Sequence, residues 1–563
     1  MKWTRIEDKR IICTGHIMDV KNRRRIDGEL IVENGRIASI IEKEIADDAP
    51  YLMPGFIDSH VHVESSMMVP MEFAQIALSH GTIGAIADPH EIGNVLGVKG
   101  IDFMLDSARR TPFHFAFGAP SCVPSCGPAF ETSGATLDSS DIRSLMQRDD
   151  IHFLGEMMNY PGVLNEDSEV MAKIKAALDC GKRVDGHAPG VLGEDRKKYA
   201  SAGITTDHEC STIAEAVSCI ENGMKVLIRE GSAAKNFEAL CGLIPEYHDS
   251  IMFCTDDCHP ADFIRGHIDQ MVRRAMKKGY DIWDILQVAC VNPVEHYGEN
   301  WGLLQIGDSA DFISLTDLTP HFRVRKVYLG GERVYSYNNY ATSLQSQIDS
   351  VESQKDMLRD YPNVFLAKPI TKEQIRQDIK PGDTIRVIGA SDGSLLTSDE
   401  TINVTGDPFL DHQHNWEEIQ KIVVVNRYTE GAPVQVAYIR GFNLKNGAMA
   451  CSIAHDCHNI VAIGSSDEMI CRAVNRVIEM TGGIVAICDD EMNDLPLPIA
   501  GLLSPLNGYQ IAFRSLIVED TARRAGCRFA SPFITMAFMC LPVIPSLKIT
   551  DKGLFDSQNF KFV

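Results

Sequence analysis

The sequence lacks the features that mark secreted and membrane-spanning proteins. It has no CxxC pair among its 16 cysteines, and its N-terminus, MKWTRIEDKR, has no apolar run of the kind a secretory signal requires. The most apolar late stretch, 532–549, is interrupted by Pro542 and Pro545, whereas a membrane span needs about 20 apolar residues in one helix. We therefore expect a cytoplasmic protein with reduced thiols, in which this stretch is buried core.

Positive charge is also scarce. The chain has 54 Lys and Arg against 77 Asp and Glu, which gives a formal net charge of −23. An acidic surface repels nucleic acids and anionic membranes, so neither is expected as a partner. The charge places no restriction on a small neutral substrate.

The length of 563 residues predicts more than one domain, because a single core rarely grows past roughly 300 residues. From about residue 53, short apolar runs alternate with amphipathic stretches. Eight such runs can be counted: PGFIDSHVH (54–62), TIGAIADPH (82–90), FHFAFGAP (113–120), IHFLGE (151–156), KRVDGH (182–187), GITTDH (203–208), MKVLIRE (224–230) and SIMFCTDD (250–257). Strands that alternate with helices favour a parallel sheet. Eight repeats of this size predict a TIM-like (β/α)8 barrel over 53–300, and an α/β fold class.

The segments that flank the predicted barrel have strand-and-turn character. Asn34-Gly35 in residues 1–52 and Gly330-Gly331 in residues 301–340 both favour tight turns. Neither segment is large enough to fold alone, so we predict that both contribute to one small β-sandwich domain.

The rest of the chain is expected to form a linker and a further domain. Residues 341–380 are polar and indicate a helical linker. Residues 381–563 contain apolar runs and the helix-forming stretch DEMICRAVNRVIEM, with Ser465-Ser466 before it as a cap. This segment is predicted to be a C-terminal α+β domain.

Possible metal ligands stand at the ends of five predicted barrel strands. They are His60 and His62 on the first run, Glu156 on the fourth, His187 on the fifth, His208 on the sixth and Asp256 on the eighth. Barrel active sites form at the C-terminal ends of the strands, and two residues spaced two apart on a strand point to the same face. A single histidine there is more often a hydrogen-bonded core residue. Five strands that each end in a possible ligand predict a divalent metal site.

This pattern resembles the amidohydrolase superfamily, whose members carry HxH on strand one, a bridging acidic group on strand four, His on strands five and six, and Asp on strand eight. The sequences PGFIDSHVH (54–62), NPVEHYG (292–298) and GLLQIGDSADFISL (302–315) are similar as well. In many members the bridging group is a carboxylated lysine. No lysine lies between residues 149 and 172 here, and Glu156 takes that position.

Finer features resemble the adenine deaminase family within that superfamily. They are HVHVESSMM (60–68), DPHEIGNV (88–95), FLGEMMNYPGV (153–163), VDGHAPG (184–190), TDHE (206–209), TDDCHP (255–260) and AHDCHNIVAIG (454–464). The resemblance covers nearly the whole chain. It implies hydrolytic deamination of adenine to hypoxanthine and ammonia in purine salvage.

The resemblance also implies a binuclear divalent metal centre, with Mn²⁺ or Fe²⁺ favoured and Zn²⁺ as an alternative. His60, His62 and Asp256 would hold one ion, His187 and His208 the other, and Glu156 would bridge them. Two ions that share a water lower its pKa and give hydroxide at neutral pH, here for attack on C6 of the purine. Asp256 would carry a proton from this hydroxide to the departing ammonia.

Attack on the ring also requires a proton donor to a ring nitrogen, and Glu64 and Glu91 are the candidates. Asp88 and His90 lie beside Glu91 in the sequence. Two roles are open for these three residues. They hold a ligand, which is either substrate or a further metal, or they orient the metal-binding histidines, as metal sites commonly require.

For two further groups of residues, the sequence allows two interpretations each. Ser65 and Ser66 either hydrogen-bond the purine edge or cap the following helix. His455, Asp456 and His458 either complete the pocket from the third domain or form a turn after a strand.

Other functions were weighed against this one. An alternative is another binuclear amidohydrolase that acts on a cyclic amide or a modified purine, and the absence of the lysine counts against the cyclic amide. A zinc deaminase of the cytidine deaminase type needs H-x-E and a later P-C-x-x-C, and only the first occurs, at His62-Val63-Glu64. A catalytically inactive barrel is disfavoured because all six ligands are present. The expected partners are adenine and water, and the apolar third domain favours a homo-oligomer.

Overall fold

The computed structural model of the chain describes residues 10–337, 361–404 and 418–563. Within these stretches the central architecture is a set of eight parallel strands that lie in two sheets. The first sheet contains Phe56–Val61, Thr82–Ala87, His114–Ala119, Phe153–Met157 and Arg183–Gly186, and the second contains Thr206–Asp207, Lys225–Arg229 and Ile251–Cys254.

Hydrogen bonds join the two sheets at both edges. The Asp256 amide donates to the His60 carbonyl at 2.9 Å, and Val61 and Asp256 form a parallel bridge. On the other side, the Thr205 amide donates to the Val184 carbonyl at 2.9 Å. The strands therefore close into a barrel, and the TIM-like fold predicted from the eight runs is confirmed.

Helices surround the barrel in the connections between its strands. The longer ones span Pro70–Ser79, His90–Leu96, Val98–Ala108, Ser139–Met146, Ser168–Asp179, Gly193–Ser201, Ile213–Glu221, Ile268–Lys277 and Asn292–Tyr297. Shorter helical segments span Val63–Ser66, Tyr160–Leu164, Phe237–Leu240, Cys241–Leu243, Ile244–Tyr247, His248–Ser250, Pro260–Phe263, Ile282–Leu286 and Gln287–Val291. The amphipathic stretches that precede the fifth and seventh runs are helical, over Ser168–Asp179 and Ile213–Glu221.

Two barrel strands are no more than half as long as the apolar runs that predict them. The sixth strand has only Thr206–Asp207, because the run begins at Gly203, whose φ of +99° does not fit a strand. The eighth ends at Cys254, and Asp256 follows it with a φ of +58°. Catalytic candidates on these runs therefore lie just beyond the strands, on the rim of the barrel.

Strands from both flanks of the barrel form one mixed sheet, with parallel and antiparallel neighbours. Its order in the described chain is Glu332–Ser336, Val324–Leu329, Phe312–Leu315, Tyr51–Met53, Arg10–Asp19, Arg24–Glu33 and Arg36–Glu42. The turn at Asn34-Gly35 has φ values of +52° and +77°, and Gly330-Gly331 has +53° and +75°. These left-handed conformations explain why asparagine and glycine stand there.

The described residues after 361, here called the C-terminal unit, form a mixed sheet with helices against it. The strands are, in sheet order, Ser398–Asn403, Thr384–Gly389, Gln435–Arg440, Ile419–Val425, Ile460–Gly464, Gly447–Cys451, Gly483–Cys488 and Glu491–Pro496. A small sheet contains Leu547–Thr550, Gly553–Asp556 and Lys561–Phe562, and the helical segments are Lys372–Ile375, Asp467–Glu479, Gly508–Arg524, Pro532–Ala537 and Phe538–Cys540. The Ser466 hydroxyl caps Asp467–Glu479 by accepting from the Met469 amide.

The predicted helical linker over 341–380 falls partly on residues 338–360, which lie outside the described residues. In its described part only Lys372–Ile375 is helical. The segment contains Pro362 and Pro369, and proline interrupts helices because it lacks an amide hydrogen.

The barrel and the C-terminal unit share one continuous hydrophobic core. Ile92 and Phe117 of the barrel belong to the same buried cluster as Met449 and Ile534 of the C-terminal unit. The apolar stretch 532–549 is therefore core, as predicted. Among the described residues, no helix has the length and apolar character needed to cross a membrane.

Candidate metal centre and active site

The six predicted metal ligands converge at the C-terminal end of the barrel, and all are buried. Glu156 lies at their centre. Its Oε1 is 3.1 Å from Nε2 of His62, and its Oε2 is 2.7 Å from Nδ1 of His187 and 3.2 Å from Nε2 of His208. The two oxygens of one carboxylate thus face two different groups of histidines.

Asp256 completes the first of these groups. Its Oδ1 is 3.1 Å from Nε2 of His62 and 3.7 Å from Nε2 of His60. Its Oδ2 accepts a hydrogen bond from Nη1 of Arg229 at 2.5 Å. Burial alone would favour the protonated acid, but Arg229 and His62 hold the pKa of Asp256 well below its usual range.

The chemistry of this cluster fits divalent cations. Ligand atoms of His60, His62 and Asp256 lie within 4.8 Å of one another, as do those of His60, Glu156 and His208. Within the described chain, both ring nitrogens of His60 are buried without a hydrogen-bond partner. Although burial favours neutral imidazole, Glu156 raises the pKa of His208 to about 9. The cluster therefore attracts positive charge, and imidazole and carboxylate donors suit zinc, iron or manganese.

Asp88 lies directly behind the cluster. Its Oδ2 accepts from the Glu156 amide at 2.8 Å, and its backbone carbonyl is 3.0 Å from Nδ1 of His62. These contacts fix the orientation of two ligands, which is the second of the two roles considered for this residue. His90 instead lies at the cluster, with Nδ1 at 3.6 Å from Glu156 Oε1.

Three charged residues at the site were not identified from the sequence. Glu209 Oε1 is 3.6 Å from Nε2 of His208, and Arg229 donates to it at 2.6 Å. Burial and the neighbouring Asp256 raise the pKa of Asp257 to about 6. Glu209 and Asp257 each follow a recognised ligand directly, and that adjacency was the available signal. Arg229 stands in the seventh run, for which no ligand was expected.

Glu64 and Ser65 line a second cavity beside the metal cluster. Burial raises the pKa of Glu64 to about 7, and its Oε1 accepts from the Ile92 amide at 3.1 Å. The Ser65 hydroxyl donates to Asp257, and that of Ser66 donates to the Val63 carbonyl at 2.6 Å. The interpretation of these serines as helix caps is wrong, because the next helix, Pro70–Ser79, has Val69 as its N-cap residue.

Glu91 connects the barrel to the C-terminal unit. Its Oε1 is 2.7 Å from Nδ1 of His455 and its Oε2 is 2.5 Å from Nε2 of His458. Burial alone would favour the protonated acid, but these two histidines hold the pKa of Glu91 well below its usual range. The AHDCH sequence therefore lies at the site, and it also forms a turn after the strand Gly447–Cys451, so the two interpretations of it are compatible.

A cavity of about 300 Å³ opens above the metal cluster, and both parts of the chain line it. The barrel contributes mainly charged and imidazole side chains. The C-terminal unit contributes Leu395, His455, Asp456, Phe538, Leu541 and Ile544. A small pocket with convergent polar groups is typical of enzyme sites for small molecules.

Known proteins match the chain over both parts. The sequence model described as the amidohydrolase family matches residues 51–334, and the one described as the adenine deaminase C-terminal domain matches residues 394–561. An adenine deaminase of Methanosarcina barkeri is 47% identical over 558 residues, which cover 98% of each chain. An adenine deaminase of Sulfurovum sp. is 47% identical over 547 residues, with 97% of this chain and 98% of the relative covered. This chain therefore belongs to the adenine deaminase family of the amidohydrolases.

Proposed function

We propose that the protein hydrolyses adenine to hypoxanthine and ammonia, as a step of purine salvage. The observation that carries this proposal is the buried cluster around Glu156, whose two oxygens face separate sets of histidines. The names of the relatives supply the substrate, and the pocket above the cluster suits a small planar molecule.

The residues of the cluster are proposed to hold two divalent cations, with Mn²⁺ or Fe²⁺ favoured. His60, His62 and Asp256 would bind one, His187 and His208 the other, and Glu156 both. When bound, such a pair lowers the pKa of water and supplies hydroxide at neutral pH.

Asp256 is proposed to move the second proton of the attacking water. Arg229 holds its Oδ2, so that Oδ1 faces the histidines and the space above them. From there the carboxylate accepts the O–H proton after attack on C6 and delivers it to the amino group, which leaves as ammonia. The C–N bond breaks as the C6 carbonyl forms.

Glu91 is proposed to relay a proton from the paired His455 to the ring nitrogen next to C6, since the two histidines keep Glu91 itself ionised. Of the two glutamates considered, Glu91 lines the main pocket, whereas Glu64 lines only the second cavity. His455, at 2.7 Å from Glu91 Oε1, can replace the proton that Glu91 gives up. The other proton of the water then reprotonates the Glu91–His455 pair, so protons balance over one turnover.

The remaining candidates are proposed to play supporting roles. His90 lines the main pocket and would contact the substrate, whereas Asp88 would orient His62 and Glu156. Ser65 would hold Asp257 beside the substrate, and Ser66 would stabilise the turn after His62.

The domain division is also proposed. It comprises a small β-sandwich domain from residues 1–52 and 301–340, a barrel over 53–300, a linker, and an α+β domain over 381–563. The sheet shared by both flanks supports the first of these. We further propose a homo-oligomer, for which exposed Phe513 and Ile517 on one helix offer apolar surface.

The test is to purify the protein with Mn²⁺ supplied and to measure ammonia release from adenine, adenosine and cytosine. Ring opening of dihydroorotate and hydantoin is followed in parallel by ultraviolet absorbance. We expect ammonia from adenine alone, in proportion to bound metal. Turnover only of a cyclic amide, or only of a purine other than adenine, would overturn the substrate assignment.

A further inference from the structure

The C-terminal unit supplies the side of the pocket that faces the metal cluster. Four apolar side chains form this side and are here called the pocket wall: Leu395, Phe538, Leu541 and Ile544. Their exposed fractions lie between 2% and 9%. An apolar wall opposite a few placed polar groups is the usual construction of a site for a flat organic ligand.

A buried lysine holds the pocket wall in position. Nζ of Lys548 donates to the carbonyl of Leu395 at 2.8 Å and to that of Phe538 at 3.0 Å. The Phe538 ring is also stacked on His455, with 4.3 Å between centroids and 7° between planes. Since His455 is paired with Glu91, the wall is joined to the barrel through a direct chain of contacts.

Asp456 adds one polar group beside this wall. The residue is 1% exposed, and within the described chain its Oδ2 has no hydrogen-bond partner. The nearest ring nitrogens are His90 Nε2, at 3.9 Å from Oδ2, and His455 Nδ1, at 3.4 Å from Oδ1. A buried acceptor without a donor is costly, so the lining of the pocket points to a ligand that brings an N–H group.

We infer that the pocket wall and Asp456 form a base-recognition subsite, in which the wall packs against the ring and Asp456 accepts its N–H. The inference rests on the proposed function, which puts C6 of the purine at the metal cluster. The five-membered ring then extends toward the C-terminal unit. A free base carries an N–H on that ring, whereas a nucleoside has a sugar there instead. The subsite therefore selects free bases against nucleosides.

The first test compares Asp456→Asn with Asp494→Asn, a matched control in the same unit whose carboxylate pairs with Arg476. We expect the KM for adenine to rise about 10- to 100-fold in Asp456→Asn, because a hydrogen bond to a charged group is lost. Bound metal should stay unchanged, and the control should keep the parent KM. An unchanged KM in Asp456→Asn would overturn the inference.

A second readout separates recognition from a general structural effect. The ratio of kcat/KM for adenine to that for 9-methyladenine, which has no ring N–H, should fall at least about 10-fold in Asp456→Asn. Only adenine offers an N–H to the Asp456 carboxylate, so the substitution should lower kcat/KM for adenine more than for 9-methyladenine. A ratio that stays constant would show that Asp456 does not sense this group, whatever its effect on KM.

The wall is tested with Leu541→Ala and with the conservative Phe538→Leu. Both should raise the KM for adenine more than they lower kcat, by about 5- to 20-fold, because the lost contact is with bound base. Circular dichroism and the apparent Tm identify any variant that fails to fold. If such a variant occurs, Leu541→Met replaces it and should have a smaller effect in the same direction.

Calorimetric measurement of purine binding tests the base-recognition subsite separately from the proposed deamination, because purine has no amino group to lose. Binding to the parent protein that weakens in Asp456→Asn would support the subsite even if adenine were not deaminated. Deamination of adenine with equal purine affinity in parent and variant would overturn the subsite alone.

Discussion

The barrel and the C-terminal unit contribute opposite kinds of surface to one pocket. The barrel presents imidazoles and carboxylates on strand ends, and these groups contact one another within 4 Å. The C-terminal unit presents four apolar side chains and a carboxylate oxygen that has no donor among the described residues. Under the proposed function, the barrel would carry the reaction, while the choice of substrate would depend on a surface from elsewhere in the sequence.

The largest expected effect belongs to the barrel side. Asp256→Asn removes the proposed proton carrier but keeps an oxygen ligand and the side-chain size. We expect kcat for adenine to fall by about 10³-fold, within the range for general acid–base groups. Ammonia release measures the fall, and elemental analysis measures bound metal. A kcat within tenfold of the parent value at equal metal content would remove Asp256 from the mechanism.

A smaller effect on kcat is expected at Glu91, where the barrel meets the C-terminal unit. Glu91→Gln removes the proposed proton donor, and kcat should fall about 10²-fold. Glu64→Gln is the matched variant, and it should lower kcat much less because Glu64 lies in the second cavity. Steady-state kinetics on both variants makes the comparison. A larger loss in Glu64→Gln would reverse the assignment of the two glutamates.

A third variant changes only the support of the pocket wall. Lys548→Met keeps the length of the side chain but removes both hydrogen bonds to Leu395 and Phe538. The KM for adenine should rise about fivefold while kcat changes little, because the wall loses preorganisation. If kcat fell and KM did not, the wall would belong to the reaction rather than to recognition.

The smallest effect concerns stability at the contact between the two parts. Glu131 is buried on a barrel loop, where its Oε1 accepts from Ser125 and from the Cys126 amide, and burial raises its pKa to about 7. The unfolded chain releases this proton near pH 4.5, so the folded state binds one more proton between pH 4.5 and 7. Stability from this group is therefore present below pH 4.5 and is lost as the pH rises to 7.

Glu131→Gln keeps the acceptor oxygen without the charge. The variant should be more stable than the parent above pH 7 by about 1–3 kcal/mol, and the difference should shrink toward pH 5. Apparent Tm measured from pH 5 to 8.5 tests this, with a rise of a few degrees expected at the upper end. A variant that is destabilised throughout would mean that another contact requires the charge.

The barrel side could be predicted from the sequence because its ligands repeat with the strands. His60, His62, His187 and His208 each stand at the end of an apolar run, and closure of the barrel brings such ends together. The same rule could not find Arg229, which stands in a run without a recognised ligand. Its role follows from its contact with Asp256, which depends on the barrel register.

The C-terminal side could not be predicted in the same way. Leu541 and Ile544 have the pattern of ordinary core residues, and no periodicity separates a pocket wall from a core. The sequence leaves two interpretations open for AHDCH, because its contact with Glu91 joins positions far apart in the chain. Such contacts are set by the packing of whole units, which local sequence does not specify.

The pocket is built from two parts of the chain, and the position of Lys548 near the chain's end has a consequence for the order in which these parts are synthesised. The six proposed metal ligands all precede residue 260 and so leave the ribosome first. The side chain that holds Leu395 and Phe538 in place is added much later. On the proposed assignments, a nascent chain would carry all six metal ligands well before the residue that supports base recognition.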